Sequence, residues 1–332
     1  MTVTYSKFKV FKSKAKGGRD SQQDDYYVEY NESLDKLIMV VADGMGGHKG
    51  GEIASEITVK KTKQFFQDKR NENLSAHEFF KKLIPSIHES ILKRGLKDNI
   101  SPHTTIVIAI VQNGYIEYAH IGDSRLYIFT EEEQLVERTR DHSVPEMLFQ
   151  MGEISEDEMA THPDQNKLTK SLGGERAESF TFKQHKIDTS KNYAIVLCSD
   201  GLWEYFTDAQ MNYALFQSKL ALNDIGNRMI RKAINVGGKN GDNITLVFTF
   251  ISASEKKNIL NKILKSSWIE IAIGIIILLS VGIYFLLDYS SNRVQNSPPP
   301  PPQQKKNQVI IMNLQKFFQR IRIQSFLSKM KI

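Results

Sequence analysis

Five aspartates stand at the margins of apolar runs. Asp43 ends LIMVVAD, Asp123 ends YIEYAHIGD, Asp200 ends YAIVLCSD, Asp242 precedes NITLVFTFI, and Asp24 lies in RDSQQDDYYV. Aspartate is depleted in strands and favoured in turns, so any one of them alone reads as a turn or cap residue. The set reads differently. Asp43, Asp123 and Asp200 are each followed by Gly or Ser, small neighbours that let a ligand approach the backbone, and strand ends are rigid mounts for a site. Carboxylates converging without cysteine, and with few histidines, suit a hard cation held by oxygen, Mg2+ or Mn2+. Such a cluster repels itself without metal. Two divalent ions about 3.5–4 Å apart would neutralise it and favour in-line displacement at phosphorus. Arg19 is the natural complement, since a guanidinium grips two phosphate oxygens at once; taken alone it reads equally as one half of a surface ion pair. His48, in the glycine-rich stretch after Asp43, reads as a loop histidine beside a helix start.

The elements that must position these groups are visible as patterns. Strand patterns occupy 6–10, 37–42, 105–112, 115–120, 126–130, 194–199 and 245–251, and helical patterns 51–68, 76–95 and 208–235. Asn113-Gly114 between two apolar runs predicts a two-residue hairpin. Strands neighbouring one another, with helices grouped between them, predict an α+β fold with two packed antiparallel sheets rather than alternating βαβ units.

The 332 residues are 40% hydrophobic and 25% charged, enough for a substantial core. The net charge of +6 is accounted for by the tail, where 305–332 carries seven Lys/Arg and no Asp/Glu. No basic stripe interleaved with aromatics predicts nucleic-acid binding. Cys198 is the single cysteine; it reads as a buried, inert thiol, in keeping with a reducing compartment. The polar, alternating N-terminus has no apolar stretch of the signal-peptide kind. The segment 268–287 is different: 16 of its 20 residues are apolar or aromatic and Glu270 is its one charge. At about 1.5 Å per residue it spans a bilayer's hydrocarbon, which predicts a single transmembrane helix. Four lysines before it (256, 257, 262, 265) against three cations after it (293, 305, 306) give a slight bias for the N-terminal side inside. The expected organisation is therefore a domain at 1–253, a basic juxtamembrane linker at 254–267, the span at 268–287, a Pro-rich linker at 288–304 and a basic tail at 305–332. The tail reads either as a membrane-surface helix or as a poorly ordered end.

RDSQQDD, VVADGMGGHKGGEIAS, YAHIGDSRLYIF, RTRDHSV, IVLCSDGLWE and GDNITLVFTFI, in this order over residues 5–251, resemble the metal-dependent type 2C serine/threonine protein phosphatases, most of all their bacterial branch. The resemblance implies an αββα sandwich, hydrolysis of phosphoserine and phosphothreonine in proteins, and two Mn2+ or Mg2+ ions with a third, weaker one. It implies that Asp43 bridges both ions with the Gly44 carbonyl as a further ligand, and that Asp200 and Asp242 complete one of them. Asp24 belongs with the metal residues as a support for the pair. Asp123 takes the third ion together with Asp200, Asn243 supports the site, and Arg19 binds phosphate. Residues 141–176 resemble the flap beside the family's active site. Three positions depart from the pattern: Gln23 where Glu is common, Met45 where animal members carry a proposed acid histidine, and His103 where Gly is usual. The resemblance further implies phosphoprotein substrates, a cognate Ser/Thr kinase and a monomeric catalytic domain, while the apolar run at 268–287 and its flanking lysines give the expectation of a single-pass inner-membrane location with that domain cytoplasmic. The rival expectations are a membrane-tethered adaptor that binds phosphoproteins with little catalysis, and a sensor module controlled through its tail.

Overall fold

The computed structural model describes residues 1–45, 47–159, 161–174, 179–218 and 220–253. The expected span at 268–287, both linkers and the tail lie outside these residues; among the described residues no helix is long and apolar enough to cross a membrane. With elements numbered along the chain, one antiparallel sheet runs β1 (Thr2–Thr4), β2 (Lys9–Ala15), β13 (Ile244–Ile251), β12 (Tyr193–Cys198), β9 (Arg125–Thr130), β10 (Gln134–Arg138). The second runs β11 (Thr181–Lys186), β8 (Tyr115–Ile121), β7 (Ile106–Gln112), β4 (Lys36–Ala42), β3 (Asp25–Asn31). A two-stranded ribbon, β5 (Gly44–Met45) with β6 (His103–Thr104), sits apart from both.

The central strands are apolar without alternation because both of their faces are covered. Along β4, Ile38 and Val40 face helices α1 (Gly47–Gln67) and α2 (Ala76–Asp98), while Leu37, Met39 and Val41 face the other sheet. Along β12, Ile195 and Leu197 point between the sheets. Ala194, Val196 and Cys198 pack on the helices of the opposite face, α5 (Asp200–Trp203), α6 (Asp208–Asn212) and α7 (Leu222–Gly237). Two shorter helices, α3 (Val144–Gln150) and α4 (Glu156–Met159), belong to the 141–176 segment. Each apolar side chain so buried contributes about 1.5–3 kcal/mol against the entropy of ordering it. The four layers are the αββα sandwich expected, and the hairpin closes as predicted, with Asn113 and Gly114 at φ 53° and 79° and Gln112 paired with Tyr115.

Several expectations need correction. The pattern at 6–10 is really the junction of β1 and β2, and β2 runs on to Ala15 through outward-facing lysines. β3 and β11 carry too many polar and tyrosyl residues to show as apolar runs. The long helix expected at 208–235 is interrupted: α6 passes into a wider turn at Tyr213–Gln217 before α7 starts at Leu222.

Candidate metal centre

The ends of β4, β8 and β12 and the start of β13 open on one cavity of about 430 Å³. Arg19, Asp43, Gly44, Asp123, Asp200, Asp242 and Asn243 all line it, joined by Gln23, Met45, Asn166 and Leu168. Asp43 is held by its own backbone. Its N–H donates to Thr105 Oγ1 (3.0 Å), and its carbonyl accepts from Thr105 N and Thr104 Oγ1 (both 2.8 Å). Thr105 Oγ1 also bonds Ser124 Oγ at 2.7 Å, which couples the Asp43 and Asp123 loops. Gly44 must be glycine because α1 is packed against it: a Cβ there would lie 2.2 Å from the Gly51 carbonyl oxygen. His103 stands opposite Met45 in a regular β5–β6 pair and bonds Ser101 and Ser171 through its two ring nitrogens, so a side chain in that turn leaves the local backbone regular. The side chain of His48 lies outside the described residues.

Asp24 is fully buried and set back from the cavity. Its Oδ2 accepts from Ser199 Oγ and Thr245 Oγ1, both at 2.8 Å, and its carboxyl lies beside that of Asp43. Asp24 thus lies behind the cavity wall rather than in it. Asn243 organises the Arg19 loop: its Oδ1 accepts from Gln23 N (2.7 Å) and its Nδ2 donates to the carbonyls of Lys16 (2.8 Å) and Ser21 (2.9 Å). Gly17, at φ +63°, lets this loop close over Asp242. Arg19 forms an ion pair with Asp242 across the cavity mouth. From the 141–176 segment, Asn166 and Leu168 reach the cavity, while bridges Ser143–Leu168 and Thr104–Leu172 tie the segment down beside it.

Burial, and then the neighbouring carboxylates, push Asp43 and Asp200 well above the ordinary range. Burial raises Asp24 to about 6, and burial together with Asp141 raises Asp123 to about 7. Asp24 Oδ1 and Asp200 Oδ1 are buried without a hydrogen-bond partner. Oxygen donors that are buried, mutually repelling and orphaned fit a hard divalent cation, and nothing soft or basic enough to favour another metal lies among them. Among the described residues no three His, Cys, Asp or Glu side chains form a ligand set ready to hold a metal ion.

A pH dependence follows. The unfolded carboxyls ionise near 3.8, whereas in the fold Asp24 and Asp123 keep their protons up to about 6 and 7. Without metal the cluster therefore favours folding at low pH, and that contribution is lost as pH rises through 6 to 7. His142, which burial holds down at about 3, acts in the opposite sense: its contribution is full above 6.5 and fades as pH falls. The metal increment separates the two. The rise in melting temperature on adding Mn2+ should be larger at pH 7.5 than at pH 5.5, with proton release on binding; an increment independent of pH would rule the carboxylate cluster out as the binding site.

Several residues that hold the site carry no signal of their own in the sequence. Ser199 and Thr245 read as ordinary strand-end residues, yet they anchor Asp24. Arg125 and Asp141 form a bidentate pair (2.9 and 2.6 Å) beneath Asp123, and Trp203 lies over the Arg125 guanidinium at 3.5 Å while donating to the Asp123 carbonyl at 3.0 Å. Glu204, raised to about 7 by burial and by Asp242, stands beside them. Their pairing is not local in sequence: Arg125 and Asp141 are 16 residues apart and Trp203 is 80 from Asp123.

A family model described as protein phosphatase 2C matches residues 15–233. The serine/threonine phosphatase stp of Listeria innocua is 33% identical over 225 residues, covering 65% of this chain and 85% of that protein. The protein phosphatase PhpP of Streptococcus pneumoniae is 30% identical over 242 residues, covering 72% of this chain and 96% of that one. Among solved structures, the S. agalactiae serine/threonine phosphatase matches with a TM-score of 0.65 at 28% identity, over 73% of this chain and 98% of its own. The catalytic domain of the serine/threonine protein phosphatase PstP, solved in complex with two manganese ions, shares the fold at a TM-score of 0.62 and 22% identity, over 74% and 98% of the two chains. With its two-sheet sandwich and its carboxylates gathered at the strand ends, the chain belongs to the protein phosphatase 2C family.

Proposed function

We propose that this protein is a protein-serine/threonine phosphatase that hydrolyses phosphoserine and phosphothreonine esters with two Mn2+ or Mg2+ ions. The observation that carries the reading is a cavity with Asp43, Asp123, Asp200 and Asp242 in its walls and Arg19 at its mouth. Asp43, the Gly44 carbonyl, Asp200 and Asp242 are the groups that would hold the two ions, and Asp123 with Asp200 a third. When bound, the ions neutralise the carboxylates and supply an acidified water for attack at phosphorus.

The chain's own residues do the rest. Arg19 offers a planar fork to two phosphoryl oxygens, and an incoming phosphate competes with Asp242 for it. Asn243 fixes the loop that aims this arginine. Met45 contributes an apolar wall and no proton, so the leaving oxygen takes its proton from water or from another group. Cys198 is fully buried, faces the helix layer and is pushed up by burial, so no thiol nucleophile serves this cavity. The domain acts as a monomer on phosphoproteins made by a Ser/Thr kinase, at the cytoplasmic face of the membrane reached through 268–287. That placement rests on the apolar run and its flanking lysines in the sequence.

The test is turnover of a small aryl phosphate and a phosphothreonine peptide by the full chain with Mn2+, Mg2+ or EDTA. Metal-dependent turnover abolished by chelator is expected. Turnover unaffected by EDTA would sink the metal reading, and no turnover at saturating Mn2+ would favour the adaptor. Arg19→Ala should lower kcat/KM on the peptide by roughly ten- to a hundredfold, the equivalent of about 1.5–3 kcal/mol for hydrogen bonds to a charged group. Arg19→Lys should fall in between, because charge survives and the fork does not. An Arg19→Ala variant within twofold of the parent would remove the arginine from the mechanism.

A further inference from the structure

Away from the catalytic cavity, residues of α1 and α2 together line a second, shallow cleft of about 360 Å³. Ile57 supplies an apolar patch, Lys60 and Lys61 line it from α1, and Lys93, Arg94 and Lys97 line it from α2. These positions recur at helical spacing on each element, so the two helices turn a basic face toward each other. No carboxylate lines the cleft. Lys93 and Arg94 pair along their own helix with Glu89 and Asp98, and Glu89 also feels the charge of Lys61, while Lys60, Lys61 and Lys97 form no salt bridge among the described residues. Lys93 and Lys97 are like charges one turn apart, an arrangement that weakens an isolated helix. It fits a cleft that receives an anion.

From this geometry we propose that the α1–α2 cleft docks an acidic segment of the phosphoprotein substrate, an inference that rests on the phosphatase reading above. Ile57 lies among the five cations of the cleft, a pairing that suits a peptide carrying an apolar side chain among acidic ones. Its distance also fits. α1 starts beside the catalytic cavity at Gly47, and Ile57 and Lys61 lie ten and fourteen residues further along, about 15–21 Å at 1.5 Å per residue. An extended peptide covers that in roughly five to seven residues. The preferred substrates therefore carry Asp or Glu about that far from the phosphorylated residue.

The experiment uses the full chain and a phosphothreonine peptide with an Asp/Glu run six residues from the phosphothreonine, against the same peptide with Asn/Gln there. The parent should show at least a fivefold lower KM for the acidic peptide, an advantage that shrinks as salt rises. The double variant Lys60→Glu/Lys97→Glu should lose that advantage with kcat unchanged and its kcat/KM on a small aryl phosphate within twofold of the parent. If the double variant melts early, Lys60→Gln/Lys97→Gln gives the same readout. Fluorescence anisotropy of the labelled acidic peptide reads docking independently of turnover. A chain that binds the peptide through the cleft but cleaves nothing refutes the phosphatase reading and leaves the cleft as a binding site. A variant that keeps both the KM advantage and the anisotropy signal overturns the proposal. So does a variant that loses binding only to phosphatidylglycerol vesicles, which would make the cleft a lipid contact.

Discussion

Asp43→Asn lowers kcat on a phosphothreonine peptide by about 10³-fold, on the order of 4 kcal/mol of barrier, while the domain still folds. The two halves of this result have separate causes. Asparagine keeps the shape of the side chain and leaves the backbone clamp from Thr104 and Thr105 untouched, so the loop stays in place. What it removes is an ionisable group whose charge burial, Asp24, Asp200, Asp123 and Asp242 all disfavour, so that folding without metal carries either that repulsion or the uptake of a proton. Without metal, relief of that repulsion should raise the melting temperature above the parent's. With Mn2+ the order should reverse, because the variant gains less from the ion. Thermal melts with and without Mn2+, beside single-turnover kinetics, check both halves. A variant that keeps a tenth of the parent's activity, or whose melting temperature responds to Mn2+ as the parent's does, removes Asp43 from the centre.

The same residue shows what could be read from the sequence. An apolar run ending in Asp-Gly requires a buried strand that delivers a carboxylate to a bare loop, and β4 does so with both of its faces covered. The same logic located Asp123, Asp200 and Asp242. For Asp24 the sequence shows a place in the chain and no depth. Whether a carboxylate faces the cavity or lies behind another depends on Ser199 and Thr245, 175 and 221 residues away, and pairings of that range leave no local periodicity. β3 and β11 were missed for a related reason. A strand such as DYYVEYN, with tyrosines and polar residues on a partly exposed edge, carries a weak alternation signal. The break between α6 and α7 was missed because its residues are as good helix formers as their neighbours; the change of face lies in how Leu215 and Ile225 meet the sheet.

Asp141→Asn is the second large effect, and it acts on stability. The Arg125 and Asp141 side chains are 8% and 3% exposed, joined by three hydrogen bonds of 2.6–3.2 Å, and the guanidinium is capped by Trp203 and Tyr127. Removing one partner of such a pair strands the other charge away from water, at a cost of about 3–5 kcal/mol. That is a large share of the roughly 5–15 kcal/mol available to a domain, and it corresponds to a fall in melting temperature on the order of 10 °C. Activity should suffer too, because Trp203 donates to the Asp123 carbonyl and rests on the ring of contacts that Arg125 makes. A double-mutant cycle separates a lost ion pair from simple damage to packing. Arg125→Met with Asp141→Leu removes both charges together, so no ion is left stranded, and the pair should be less destabilised than the sum of the single changes by 1 kcal/mol or more. Urea unfolding of the four proteins measures this directly. Additive single effects would mean that the two residues stabilise the fold independently, and that the link from the GDSR arginine through Trp203 to Asp123 is packing rather than charge.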